Sequence, residues 1–288
     1  MLSFASRFLA RNLNLVVGAG FLFALLLGIF STVGGMLHDE HVESAEHEFH
    51  LKPRDAGLQS AGLFGTFDNR QLQRGFQVYK EVCSACHSLR LVSFRDLQAL
   101  GYDEGQIKTI ATDWAIEQPS VNPETGEPAT RKNLPSDRFP LVFANDVAAR
   151  AANNNAVPPD LSLMTKARDD GSDYVYSLLT GYSAQPADLL RKFPEAKTPE
   201  GLHFNRYFAT LNLAMAPPLT ANDQVQYQDG TRATVDQMAK DVAAFLTWTA
   251  EPNLQKRHTW GLATVIFLLI FTGLAFGAYR NIWRGMKH

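Results

Sequence analysis

Hydrophobic and polar positions divide the 288 residues into three regimes. Residues 12–37 carry no charge, and 16–33 are dominated by Leu, Phe, Val, Ala and Gly. Residues 260–279, WGLATVIFLLIFTGLAFGAY, are again uncharged. At about 1.5 Å per residue they span roughly 30 Å, the thickness of a bilayer core. Between these ends the apolar residues come in short periodic runs. Leu72, Phe76, Tyr79 and Cys83 recur at helical spacing, which predicts a helix over 68–83 with one buried face. Val235, Met238, Val242, Phe245 and Thr249 repeat the pattern behind a Thr234-x-x-Gln237 capping box. Residues 173–180, DYVYSLLT, place Tyr174, Leu178 and Leu179 roughly on one side of a further helix. Residues 118–140 have no period and are rich in Pro, Asn, Thr and charge, which predicts an irregular surface segment. The fold class expected is mainly α with long loops, bounded by an apolar helix at each end.

Charge sharpens the reading of those ends. All 29 acidic residues lie in 39–251, against 20 of the 27 Lys and Arg, so this middle portion carries a net −9. Arg7 and Arg11 precede the first apolar run, and Asp39, Glu40, Glu43, Glu46 and Glu48 follow it. Positive before and acidic after orients the N-terminus towards the cytoplasm and exports the middle. The run is longer than a usual signal-peptide core and no clear A-x-A site follows, which favours a retained helix over a cleaved signal. The second run carries interfacial aromatics at Trp260, Tyr279 and Trp283, with Arg280, Arg284 and Lys287 beyond it, and reads as a C-terminal anchor. Lys256 and Arg257 on its other flank weaken the charge bias. His38, His41, His47 and His50 lie among acidic residues and read as a solvated tether rather than a metal site. The division expected is a hydrophobic segment at 1–37 (anchor or signal), a linker at 38–61, an extracytoplasmic domain at 62–255, and an anchor with a cytoplasmic tail at 256–288.

The chemistry concentrates at Cys83-Ser84-Ala85-Cys86-His87. C-x-x-C-H is the attachment signature of a c-type haem. Two intervening residues let one helical turn present both sulfurs to a porphyrin edge for thioether formation, and the adjacent imidazole reaches the iron. A thioredoxin-like dithiol would sit in a βαβ pattern, which is absent. Zinc would need further Cys or His ligands at matching spacing, and the chain has no other cysteine. Pro158 and Pro159 force an extended, rigid apolar wall that suits packing on a flat macrocycle. Arg168 is a candidate partner for a haem propionate, because guanidinium matches carboxylate bidentately. A sixth iron ligand is open between Met164, Met215 and His203. Met238 reads as core filler within its helical stripe, while Met215 sits in a stiff segment, LAMAPPL, suited to crossing a distal face. His/Met ligation raises the reduction potential relative to bis-histidine.

Four stretches, FGTFDNRQLQRGFQVYKEVCSACHSL, NNNAVPPDLSLMTKARDDGSDYVYSLLTGY, HFNRYFATLNLAMAPPL and DGTRATVDQMAKDVAAFLTWTAEP, followed by the anchor, resemble the cytochrome c1 family. These are the haem subunits of cytochrome bc1 complexes, ubiquinol–cytochrome c reductases. The resemblance implies a class I cytochrome c-like haem domain with one covalently bound haem c. It implies Cys83 and Cys86 as attachment residues, His87 as proximal and Met215 as distal iron ligand. It places Asn153 and Arg168 at the propionates and Pro158, Tyr174, Leu178, Leu179 and Pro218 around the pocket. The partners implied are cytochrome b, the Rieske iron–sulfur protein and cytochrome c, within a dimeric complex in a bacterial cytoplasmic membrane, the haem domain periplasmic; no nucleic acid is involved. Two positions depart from the family pattern. Asn155 stands where Gly is usual, and Arg206 stands where the family commonly has Pro in Y-F-N-P-Y-F. An extra cysteine pair found in some bacterial relatives has no counterpart. The alternatives by chemistry are an electron-transfer cytochrome of a terminal oxidase, or an open-site haem enzyme or gas sensor.

Overall fold

The computed structural model describes residues 12–38 and 44–285. The flanking charges at Arg7, Arg11, Asp39, Glu40, Glu43 and Lys287, together with His41 of the histidine string, lie outside the described residues. The chain forms two compact units, divided between residues 44 and 45. In the first unit, α1 (Leu13–His38) is a continuous helix whose apolar side chains from Leu13 to Met36 are exposed. Its stretch Leu13–Met36, with a mean hydropathy of 2.4 over its apolar window, is long and apolar enough to cross a membrane.

The second unit opens with α2 (Ala45–Phe49) and an extended strap through residue 58. α3 (Asn69–Glu81) starts at Asp68, whose carboxylate accepts the Arg70 N–H, 3.0 Å. A 3₁₀ turn (Cys83–Ala85), a 3₁₀ helix (Phe94–Leu100) and α4 (Glu104–Thr112) follow. Strands β1 (Gln118–Val121) and β2 (Pro128–Arg131) then pair antiparallel, Gln118 opposite Arg131. This corrects the expectation of irregular structure over 118–140. The hairpin buries little, so no apolar alternation marks it, and its turn is tied by Asn122 and Gly126 backbone bonds. The chain continues through α5 (Asp146–Ala152), α6 (Gly171–Thr180), α7 (Ala187–Lys192), a 3₁₀ turn (Pro194–Ala196), the short strands β3 (His203–Phe204) and β4 (Asn212–Leu213), α8 (Val235–Ala250) and α9 (Leu254–Ile282). The domain is mostly helical, as its periodic runs predict.

The core forms where α3 and α6 both pack on α8. Leu72, Phe76 and Tyr79 of α3 are buried, as their spacing predicts, with Phe245 and Met238 of α8. Phe76 and Tyr79 meet the rings of Trp114, Phe139 and Phe245 at centroid distances of 5.6–6.5 Å. Met238 is fully buried core, not a free thioether. Helices α3 and α8 approach so closely at Gly75 that a Cβ there would lie 2.0 Å from the Asp241 carbonyl oxygen. Beside this crossing Asp241, fully buried, accepts from Arg74 Nε at 2.9 Å and from Gln237 Nε2 at 2.8 Å. Only half of the expected capping box forms. Thr234 accepts the Gln237 N–H, but the Gln237 side chain turns to Asp241 instead of back to Thr234. A buried carboxylate needs that donor more than an exposed helix start does.

A smaller cluster joins Ala45, Leu189, Phe193, Phe204 and Leu211, with Phe49 edge-on to Phe193. The strap is bound along α6 and the loop after β3. Leu51 N–H reaches the Arg206 carbonyl, Arg54 N–H the Ser177 hydroxyl, and Ala56 N–H the Asp173 carboxylate, at 2.7–3.0 Å. At the other end α9 is exposed along its length except for buried Leu254 and half-buried His258, and its mean hydropathy over the apolar window is 2.2. Its 29 residues reach about 44 Å, enough to span a bilayer with a turn or more outside it.

Candidate haem-binding site

The site starts where α3 stops. Val82 closes the helix, and the chain tightens into the 3₁₀ turn, with Cys86 N–H and His87 N–H both donating to the Cys83 carbonyl at 3.1 and 2.9 Å. Cys83 is half-buried against the core and Cys86 is exposed, so the turn anchors one sulfur and offers the other at the surface. Burial, with the neighbouring Cys86 thiol, pushes the Cys83 thiol up to about 12, so the unattached sulfur stays protonated at neutral pH.

His87 is held at both its backbone and its ring. Tyr79, buried in the core, donates its hydroxyl to the His87 carbonyl, 2.9 Å. The His87 Nδ1 lies 2.7 Å from the Pro159 carbonyl oxygen. A carbonyl can only accept, so Nδ1 carries the proton and Nε2 presents its lone pair. Burial lowers the His87 pKa, opposed by the bond to Pro159 and the nearby Asp160 charge, which favours the neutral, ligating imidazole. The same proline segment clasps the chain after the motif. Leu161 N–H donates to the Ser88 carbonyl, Arg90 N–H to the Asp160 carboxylate and Leu91 N–H to the buried Ser162 hydroxyl, at 2.9–3.1 Å. Leu91, Val157 and Leu163 flank this clasp as exposed apolar side chains, surface that a flat apolar group would cover.

The other predicted residues fall on two further elements. Asn153 is half-buried and caps its own helix, donating from Nδ2 to the Ala149 carbonyl, 2.7 Å. Asn154 and Asn155 follow at φ 49° and 62°, the left-handed conformation that Asn tolerates, so the turn forms without the family's glycine. Pro158 is half-buried beside the Pro159 acceptor. Arg168 is exposed, with a guanidinium N–H on the Ala167 carbonyl and no carboxylate paired to it among the described residues. On α6, Tyr174 and Leu179 pack against the core with part of their surface left open, and Leu178 is likewise half-buried.

Met215 is half-buried two residues past β4, and its carbonyl accepts the Tyr182 hydroxyl at 3.0 Å. Pro218 follows at a bend, its carbonyl accepting from Gln224 Nε2, 2.8 Å. His203, the alternative ligand, pairs with Leu213 on the same hairpin. It lines an open cavity of about 550 Å³ with Tyr182, Phe204 and Pro217, and none of Cys83, Cys86 or His87 borders that cavity. Met164 is half-buried against the core in a series of turns. The Arg206 departure is accommodated. The turn is closed by Phe208 N–H to the Asn205 carbonyl and Tyr207 N–H to Asn205 Oδ1, neither of which uses the N–H a proline lacks.

Sequence reasoning missed Pro159 as an acceptor, Tyr79 as the brace behind His87, and the pair Tyr182 and Asn205. Pro159 was within reach, since a proximal imidazole needs a partner for its second nitrogen. The residues present fit a c-type haem: two thiols on one turn, an imidazole locked in the ligating tautomer, and a braced thioether segment.

Comparison with known proteins agrees. The Cytochrome C1 family profile matches residues 58–286. Cytochrome c1 of Rhodospirillum rubrum is 45% identical over 236 residues, covering 79% of this chain and 86% of that protein. The mitochondrial cytochrome c1 heme protein of Saccharomyces cerevisiae is 42% identical over 248 residues, 86% of this chain and 77% of the relative. The mitochondrial cytochrome b-c1 complex catalytic subunit of Candida albicans is 40% identical over 245 residues, 85% of this chain and 81% of the relative. On this likeness, which runs through the attachment turn, the proline clasp and the methionine segment, the chain belongs to the cytochrome c1 family.

Proposed function

We propose that this chain is the haem c subunit of a membrane-bound cytochrome bc1 complex, relaying single electrons from the Rieske iron–sulfur protein to cytochrome c while cytochrome b handles the quinol. The bond between His87 Nδ1 and the Pro159 carbonyl carries the reading, because it fixes the imidazole as a ligand rather than as an acid or base. When bound, haem c supplies a reversible one-electron iron couple. Cys83 and Cys86 would tether it, His87 Nε2 and the Met215 thioether would ligate it, and Asn153 and Arg168 would meet its propionates. Pro158, Tyr174, Leu178, Leu179 and Pro218 keep water from it, lowering the local dielectric and the solvent reorganisation that accompanies each charge change. With His87 and Met215 both committed to holding the iron, the subunit would make and break no substrate bonds. The domain at 62–255 lies on the periplasmic side, α9 anchors it and the C-terminus is cytoplasmic, an orientation supported by the acidic excess after α1 and by the cations at Arg280 and Arg284.

Purification of the full chain from membranes tests the assembly: a cytochrome b and an iron–sulfur protein should co-purify, and haem should stay with the chain after denaturation. Met215→Leu tests the ligand set. The reduction potential should fall sharply, CO should bind the reduced protein, and quinol-to-cytochrome c turnover should stop. An unchanged potential would refute Met215 as the sixth ligand.

A further inference from the structure

The segment that carries Met215 is short, lies outside any helix and is exposed at Ala216, so something other than secondary structure must hold it. Its carbonyl is held by Tyr182, a residue anchored to α6. Tyr182 follows Gly181 at the end of α6, and Gly181 leaves no freedom. A Cβ there would meet the Tyr207 ring at 2.3 Å, the Ser177 carbonyl at 2.6 Å and Asn205 Oδ1 at 2.8 Å. Tyr182 also bridges by backbone to Asn205. Asn205 is completely buried and uses every polar group it has in this corner. Its Nδ2 donates to the Leu178 carbonyl at 2.8 Å, its Oδ1 accepts the Tyr207 N–H at 3.0 Å, and its own N–H donates to the Leu211 carbonyl at 2.8 Å. β3 and β4 then pair, and Met215 comes two residues later. One polar corner therefore ties the end of α6, with Tyr174, Leu178 and Leu179 on it, to the arm that bears the methionine.

We propose that Tyr182 is a positioning residue for the sixth ligand: its hydroxyl, seated by Gly181 and Asn205, holds the Met215 main chain at a fixed distance from α6 and so keeps the thioether engaged. The inference rests on the reading of Met215 as that ligand. Pro217 and Pro218 stiffen the chain beyond Met215 but cannot donate a hydrogen bond; Gln224 Nε2 holds the Pro218 carbonyl and Thr198 holds Asn212 of β4, while the Tyr182 hydroxyl bonds the main chain of Met215 itself. Burial, with Tyr174 nearby, raises the Tyr182 pKa, and the hydroxyl remains a donor across the physiological range.

The test uses the membrane-purified holo-complex with Tyr182→Phe, which keeps the ring and its packing. CO capture by the reduced protein and the red-edge charge-transfer absorption of the oxidised, thioether-ligated haem report ligand engagement. CO capture should rise by about tenfold, the equivalent of losing one buried hydrogen bond, and the absorption should weaken on mild warming. Tyr176→Phe is the control, since it removes a different hydroxyl bond of α6, to Asp236, and should leave both readouts as in the parent. Parent-like behaviour of Tyr182→Phe, alongside rapid CO capture by Met215→Leu, would overturn the role given to Tyr182. So would equal changes in Tyr182→Phe and Tyr176→Phe, which would mark general loosening of the helix. No CO capture by Met215→Leu would instead remove the sixth-ligand reading and this inference with it.

Discussion

At the N-terminal end of α8, Asp236 accepts hydrogen bonds from the Tyr176 hydroxyl at 2.5 Å and from Lys240 at 2.9 Å, joining α6 to α8 by one carboxylate. Those bonds, Lys240 first and Tyr176 second, hold its pKa below the usual carboxylate value despite some desolvation. The sign follows from linkage. A carboxylate with a depressed folded pKa stabilises the fold above its unfolded value, about 3.9, and loses that contribution as pH falls through the lower folded value. Asp236→Asn should therefore melt at a lower temperature than the parent at neutral pH, with the two curves converging in acid. A difference that stays constant from about pH 7 to about pH 2 would show that the charge is not what matters. Because the bond joins α6 to α8 and does not involve Tyr182 or Met215, the haem absorption should be unaffected.

Among the elements, the crossing of α3 and α8 sets everything downstream, since the attachment turn is the continuation of α3. Gly75 permits that crossing. Its missing side chain leaves room for the Asp241 carbonyl at 2.0 Å and Phe245 Cβ at 2.7 Å from where a Cβ would be, both on a buried helix that cannot yield locally. Gly75→Ala should cost roughly 1–3 kcal/mol or more through overpacking, seen as a lower midpoint in denaturant titration of the holoprotein, with Gly65→Ala unsuitable as a control because it is crowded too. A neutral Gly75→Ala would mean that the helices can separate without loss. The helices themselves were legible because burial of one face writes a 3.6-residue period into the sequence. Leu72, Phe76 and Tyr79 show it, and so do Met238, Val242 and Phe245. The β1–β2 hairpin was not, since its strands pair through backbone groups with both faces mostly in solvent. The clasp between 88–91 and 159–162 was hidden for a related reason: each of its bonds pairs a main-chain N–H with a carbonyl, carboxylate or hydroxyl oxygen about 70 residues away, and such partners leave no local pattern. The site residues on the attachment motif could be read from spacing alone. Met215 could be singled out only by resemblance, because several Met and His residues satisfied the chemistry.

The whole molecule combines two apolar helices exposed along their length with a charged helical domain, and the charge has a consequence for how it meets its acceptor. Residues 39–251 carry a net −9, and surface carboxylates such as Asp169, Asp170, Glu195 and Glu200 are exposed in the second unit. A field of one sign raises the encounter rate with an oppositely charged protein by about 10–1,000-fold when salt is low, and the Debye length contracts to about 10 Å at 0.1 M. Electron transfer to a basic cytochrome c should accordingly slow as ionic strength rises, with the loss confined to the second-order phase. Steps inside the complex act over fixed, short distances and should keep their rates. Stopped-flow reduction of the acceptor over a salt series separates the two. A second-order rate that does not change with salt would mean that the acidic excess is spread too evenly to steer the acceptor, and that docking depends on apolar contact around the exposed side chains beside the attachment turn.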